Sequence, residues 1–91
     1  MNIKWTAKAL SDLARLHEFL AKANPQAAAK TVQLLAASPR QIAKHPRLGE
    51  RLEEFEPREI RRLLVGSYEL RYELCDATLY ILRLWHTREE R

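Results

Sequence analysis

The sequence predicts an α+β domain. A short N-terminal strand and a helical hairpin precede a three-stranded antiparallel meander, in the order β-α-α-β-β-β, with the helices packed on one sheet face. Three observations carry this reading. Tyr68, Leu70, Tyr72 and Leu74 alternate with Glu69, Arg71 and Glu73, the period of a strand with one buried face. Gly66-Ser67 before that run and Asp76-Ala77 after it interrupt the hydrophobic pattern where two-residue turns would join three strands. Upstream, apolar residues recur at spacings of three and four, the period of helices that cover such a sheet.

Taken in order, Ile3 and Trp5 flank Lys4 and place a short strand at residues 2–5. Thr6 is a helix cap, and Ala9, Leu10, Leu13, Leu16, His17 and Leu20 form one stripe, on which His17 reads as a half-buried packing residue. Asn24-Pro25 starts a second helix, since asparagine caps and proline at the first helical position lacks only a donor that would be unpaired anyway. Ser38-Pro39 predicts a kink or break, with Ser38 capping a short continuation to about Lys44. Residues 45–49 form a loop, and residues 50–59, anchored only by Leu52 and Phe55, an irregular connection.

Gly66 suits a type II′ turn, which sets Val65 opposite Tyr68, Leu63 opposite Leu70 and Arg61 opposite Tyr72. Simple alternation along the last strand, residues 78–86, would then turn Arg83 into the core. A β-bulge near Leu82–Arg83 avoids that cost and brings Leu84 and His86 to the inner face after Leu79 and Ile81. Glu69, Arg71 and Glu73 are left as a solvated charge ladder on the outer face.

At 91 residues the chain is one domain, 1–91. A single cysteine, Cys75, excludes an internal disulfide and fits a reducing cytoplasm. No apolar run has the length of a signal peptide or a membrane span, so no membrane association is expected. The histidines and the cysteine lack metal-ligand spacing, and neither metal nor cofactor is expected. The net charge of +4 is uneven: residues 1–49 carry eight basic and two acidic groups, whereas residues 50–59 carry two basic and five acidic ones. A basic first half suits an acidic partner, polypeptide or nucleic acid, and equally an ordinary solvated surface.

One ordered set of residues goes further. Trp5 with Ala9 and Asp12-Leu13 is followed by Asn24-Pro25 with Ala28, then Pro46 with Gly49 and Arg61. Gly66 with Tyr68, Leu70 with Tyr72, and the closing Trp85-His86-Thr87-Arg88 complete it. In this set, which covers nearly the whole chain, the protein resembles the RelE/ParE superfamily of bacterial type II toxins. The closing His-x-Arg is most similar to the ParE-like plasmid-stabilisation branch. The resemblance implies a toxin encoded beside an antitoxin that neutralises it, with operator DNA reached only through the antitoxin. ParE-like members poison DNA gyrase; RelE-like members cut messenger RNA in the ribosomal A site.

Cleavage of RNA needs cations for the phosphate and an acid–base pair. In the RelE-like branch an arginine follows the tyrosine that opens the middle strand; here Glu69 stands there, and Glu89 takes the place of a later arginine. Arg61, His86 and Arg88 are the catalytic candidates if the chain is a nuclease. Gyrase binding needs no catalyst, only a surface, for which Arg61, Arg62, Trp85, His86, Arg88 and Arg91 are the candidates. Structural roles compete for several: Arg61 as a cross-strand partner of Tyr72, His86 as a histidine packed at a sheet end, Trp85 as half core. For the antitoxin, the expected contacts are Leu10, Leu13, Leu16, Leu20, Leu52 and Phe55, under an added helix or strand. A detoxified fold acting as a corepressor or interaction module is the third reading.

Overall fold

The structure is a computed structural model that describes residues 1–89. Strand β1 (Asn2–Trp5) leads through the cap at Thr6 into helix α1 (Ala7–Ala21), and α2 (Pro25–Lys44) returns antiparallel to it. The caps act as the sequence indicates. Thr6 Oγ1 accepts from Ala9 N at 3.1 Å, and Asn24 Oδ1 accepts from the Gln26 and Ala27 amides, each at 3.1 Å. Each satisfies donors that a helix start leaves unpaired.

Helix α2 does not break at Pro39. It runs through to Lys44, and the Ser38 hydroxyl donates back to Leu34 O at 2.8 Å instead of capping a new start. Ser38 and Pro39 are both buried, so packing of this turn outweighs the one donor that proline removes.

The acidic connection is also more regular than expected. It contains a two-residue strand, β2 (Glu50–Arg51), and a 3-10 turn at Glu53–Phe55. Strand β3 (Glu59–Val65), β4 (Tyr68–Cys75) and β5 (Thr78–His86) form the meander. The sheet has five strands in the order β1-β5-β4-β3-β2, mixed because β1 pairs parallel to β5 while the other pairs are antiparallel.

The β3–β4 register is the one that Gly66-Ser67 dictates, with Val65 opposite Tyr68, Leu63 opposite Leu70 and Arg61 opposite Tyr72. Gly66 has φ +61°, as the first position of a type II′ turn requires. In the second hairpin Asp76 and Ala77 both have positive φ, 48° and 58°. The bulge is present: Arg71 pairs with Arg83 but Tyr72 with Ile81, so Leu82 is the extra residue. Leu70, Tyr72, Leu79, Ile81 and Leu84 thereby share a core with Ala9, Leu16, Leu35 and Ile42 from the helices.

Tyr72 also fastens the loop after α2. Its hydroxyl donates to Pro46 O at 2.8 Å and accepts from Gly49 N at 2.9 Å. A Cβ at Gly49 would lie 2.7 Å from Arg62 O and 2.8 Å from that hydroxyl, so only glycine fits.

Two measurements check these points. Ala77→Gly relieves a side chain held at positive φ and is expected to stabilise by about 1 kcal/mol, raising the thermal midpoint by roughly 4–8 °C. Tyr72→Phe leaves the buried Gly49 N–H unpaired and is expected to destabilise by about 1–3 kcal/mol in denaturant titration.

Candidate functional site

Helix α1 lies along the C-terminal half of β5. Strand β1 pairs only with Thr78–Ile81, so among the described residues no strand lies beside the outer edge of β5 from Leu82 onward. Side chains of the helix take that place. Thr6 Oγ1 donates to Ile81 O and Leu82 O at 2.9 and 3.1 Å, Asp12 Oδ2 accepts from Leu84 N at 3.0 Å, and Arg15 donates to Leu84 O at 3.2 Å. His86 N–H, the next donor, goes to Glu89 Oε1 at 2.8 Å.

The same carboxylates gather the arginines. Asp12 binds Arg83 through both oxygens, at 2.7 and 3.2 Å, and Arg15 at 3.2 Å. Burial pushes the Asp12 carboxyl up, but hydrogen bonds from Arg83, Leu84 N and Arg15 outweigh it and hold the group below its ordinary value. Glu89 also meets the Arg15 guanidinium. Its desolvation is likewise outweighed, by Arg15 and by the His86 amide, so it too is held below the usual carboxylate range.

Beyond this network, where α1 meets the ends of β4 and β5, a pocket of about 530 Å³ opens to solvent. Leu16, Leu20, Tyr68 and His86 line it, Phe19 flanks it with 71% exposure, and Arg15, Arg88 and Glu89 complete its rim. The His86 ring meets Tyr68 edge-on, 5.2 Å between centroids at 87°. His86 Nδ1 accepts from Arg88 N at 3.1 Å, which orients the ring and engages that nitrogen. Of the residues proposed from sequence, Leu16, Leu20, His86 and Arg88 meet here. Arg15, Phe19, Tyr68 and Glu89 were missed. The i, i+4 pair Arg15–Phe19 beside the Leu16–Leu20 stripe was their legible signal.

Other expectations are redistributed. Arg61 does not reach this pocket. Its guanidinium donates to Gly49 O at 2.7 Å and to Glu59 at 2.9 Å, so it clamps the loop that Tyr72 also holds. Arg62 lies on the outer sheet face, paired with Glu50 at 2.6 Å. Trp85, for which a surface contact and a half-core role both stood open, is only 7% exposed. It is buried on the outer face because the Arg71 and Arg83 guanidiniums stack over its ring at 4.8 and 4.9 Å.

Nor is the outer charge row a solvated ladder. Arg62, Arg71 and Arg83 face each other across three strands, and Glu69, 1% exposed, lies within bonding distance of Arg71 at 3.1 Å. Directly opposed like charges destabilise a sheet unless anions separate them, which is what Glu69, Glu50 and Asp12 supply. Arg91 lies outside the described residues.

The proposed antitoxin contacts divide as well. Leu10 is exposed at 53%, Leu13 and Leu16 belong to or pack on the core, and Leu16 keeps only its pocket-facing edge. Leu52 and Phe55 are half-buried, Phe55 with Arg71 over its ring at 5.7 Å. His17, on the outward side of α1, is exposed. Among the described residues no cluster of three His, Cys, Asp or Glu side chains is placed to hold a metal, and no helix is long and apolar enough to cross a membrane.

Residues 3–91 match the family described as the ParE toxin of type II toxin-antitoxin system, parDE. The chain belongs to the ParE toxin family. It is also similar to the toxin RelE2 of Caulobacter vibrioides, 30% identical over 84 residues that cover 92% of each chain. Its fold resembles that of a chain in a structure of the chromosomal ParDE TA system from P. aeruginosa, with a TM-score of 0.67 at 22% identity and 92% of each chain covered. The β-α-α-β-β-β reading therefore stands, with β2 and the β1–β5 pairing added to it. This ParE-family chain is a toxin of the type II class.

Because Asp12 joins α1 to β5, Asp12→Ala is expected to destabilise by about 2–4 kcal/mol, since it strands Leu84 N–H and Arg83. The pH dependence has a definite sign. A carboxyl depressed in the folded state contributes stability above its unfolded value, 3.8, and loses it as pH falls through the lower folded value. Denaturant midpoints measured from pH 7 down to 2 should therefore fall more steeply for the natural chain than for Asp12→Ala.

Proposed function

We propose that this toxin acts by binding rather than by cutting, with DNA gyrase as its target and a cognate antitoxin, encoded beside it, as its neutralising partner. The observation that carries the reading is the separation of the nuclease candidates. Arg61 pairs with Tyr72 on the neighbouring strand and His86 pairs with Tyr68, four residues further back along β4. That is roughly 13 Å along the strands and two strand spacings, about 10 Å, across them. Arg61 is committed to Gly49 O and Glu59, and His86 has one ring nitrogen engaged by the Arg88 amide. An acid, a base and phosphate-binding cations need to converge within hydrogen-bond reach of one substrate. Here they do not, and Glu69 sits buried where the RelE-like branch places a cation.

Binding asks less of the site. A toxin that favours one gyrase conformation shifts the enzyme's population without any chemistry. Arg88, exposed at the pocket rim, and the ring edge of His86 supply the polar part of such a surface, with Phe19 as an aromatic anchor. The antitoxin then acts by covering this surface. Leu10, Phe19 and Leu34 stand exposed on the helices as separate apolar side chains, and Phe19, beside the pocket, is the one that such a partner would cover. Operator DNA is reached through the antitoxin, and a gyrase target places the action in the cytoplasm, as growth arrest and, for a plasmid-borne copy, plasmid stabilisation.

Purified toxin is expected to inhibit gyrase supercoiling, and Arg88→Ala to weaken that inhibition by about tenfold, the effect of one interface hot spot. Unchanged supercoiling at micromolar toxin would remove the reading. Ribosome-dependent cleavage of messenger RNA, which the RelE side of the resemblance implies, is the second reading. Codon-phased cuts in primer extension after induction would promote it. Growth unaffected by expression without antitoxin would favour the corepressor reading.

A further inference from the structure

Glu89 holds an unusual place at the pocket. Its Oε1 takes the His86 N–H, an edge donor of β5 beyond the reach of β1, and its Oε2 meets the Arg15 guanidinium. The backbone turn that positions it is short, with Glu89 N donating to His86 O at 3.0 Å. Behind the carboxylate lies an apolar pocket of about 530 Å³, within the size range of ligand pockets. Among the described residues lining it, Glu89 is the only anion, set against the cations Arg15 and Arg88. Arg15 remains tied to Asp12 and Leu84 O from its other nitrogen, so its position does not depend on Glu89. With Glu89 swung away, a charged fork and a strand-edge amide would face an apolar cavity flanked by an exposed phenylalanine.

We propose that this pocket receives an acidic, apolar peptide segment of the antitoxin, whose carboxylate takes over Arg15 and the His86 N–H, and that Glu89 is the built-in competitor for that place. The inference rests on the antitoxin reading above and names the chemistry of one contact within it. A carboxylate is favoured because a strand-edge N–H and a guanidinium together form charge-assisted bonds that a carboxamide makes less well. A bulky apolar neighbour is favoured because Leu16, Leu20 and the Tyr68 ring line the cavity wall. The latch lowers the apparent affinity by the fraction of time it stands open.

The test titrates the full chain with two probes, the acetylated peptide amides Leu-Phe-Glu and Leu-Phe-Gln, followed by amide resonances at His86 and methyl resonances at Leu16 and Leu20. The carboxylate probe is expected to shift these resonances and to bind Glu89→Ala about tenfold more tightly than the natural chain, for a latch open about a tenth of the time. The carboxamide probe should gain less than about twofold. Arg15→Gln should erase the preference between probes. Because the two probes are compared on one folded protein, the preference itself does not depend on any variant folding.

Equal affinity for both probes, shifts away from the pocket, or weaker binding to Glu89→Ala would each overturn the proposal; the last is what a purely structural clamp predicts. Co-purification with the product of the adjacent reading frame tests the antitoxin reading separately. A failed titration with co-purification intact removes only the pocket assignment, whereas carboxylate selectivity without co-purification removes the antitoxin as occupant.

Discussion

The carboxylate of Asp12 is the contact on which the rest of this fold depends. Strand β1 is too short to run the length of β5, and the uncovered half of β5 would otherwise present a row of open backbone groups. Helix α1 covers it with side chains: Thr6 at Ile81 and Leu82, Asp12 at Leu84 N, Arg15 at Leu84 O. A helix is thereby docked edge-on to a strand as well as face-on to the sheet. That double attachment explains why one buried acid binds two arginines and one amide at once.

The bulge at Leu82 belongs to the same arrangement. Without it, Arg83 would follow Ile81 onto the inner face and a guanidinium would enter the core. With it, Leu84 turns inward, Arg83 swings to Asp12, and Trp85 is placed on the outer face between two guanidiniums. The extra residue thus separates an apolar core from a cation–aromatic layer on the other side of the sheet. Ordering of His86 follows, since its register opposite Tyr68 is set by the same shift.

A second anchorage lies at the far end of the sheet. Tyr72 from within the core and Arg61 beside it grip the same loop, at Pro46, Gly49 and, through Glu59, Arg47. The two regions divide the labour along the sheet. The β3 end carries the loop clamp, and the β5 end carries the exposed pocket with Arg88 at its rim. This is why Arg61 and His86, both plausible as chemistry in the sequence, belong to different parts of the molecule.

Much of this was legible in the chain. Thr6 and Asn24-Pro25 marked helix starts through their own local hydrogen bonding, and Gly66-Ser67 specified a register because turn geometry alone sets which residues face each other. The need for a bulge followed from Arg83, since a buried guanidinium without a partner is too costly to leave in place. Local rules failed where distant packing decided. Pro39 is tolerated inside α2, Trp85 is covered by Arg83 two residues before it and by Arg71 from the next strand, and Glu69 is closed off by the same layer. The pocket depends on α1 and the ends of β4 and β5 coming together. Periodicity and turns act over a few residues, so they determined the elements and their pairing. Which polar groups those elements share is settled only when the helix closes on the strand edge, and there the tertiary structure decided.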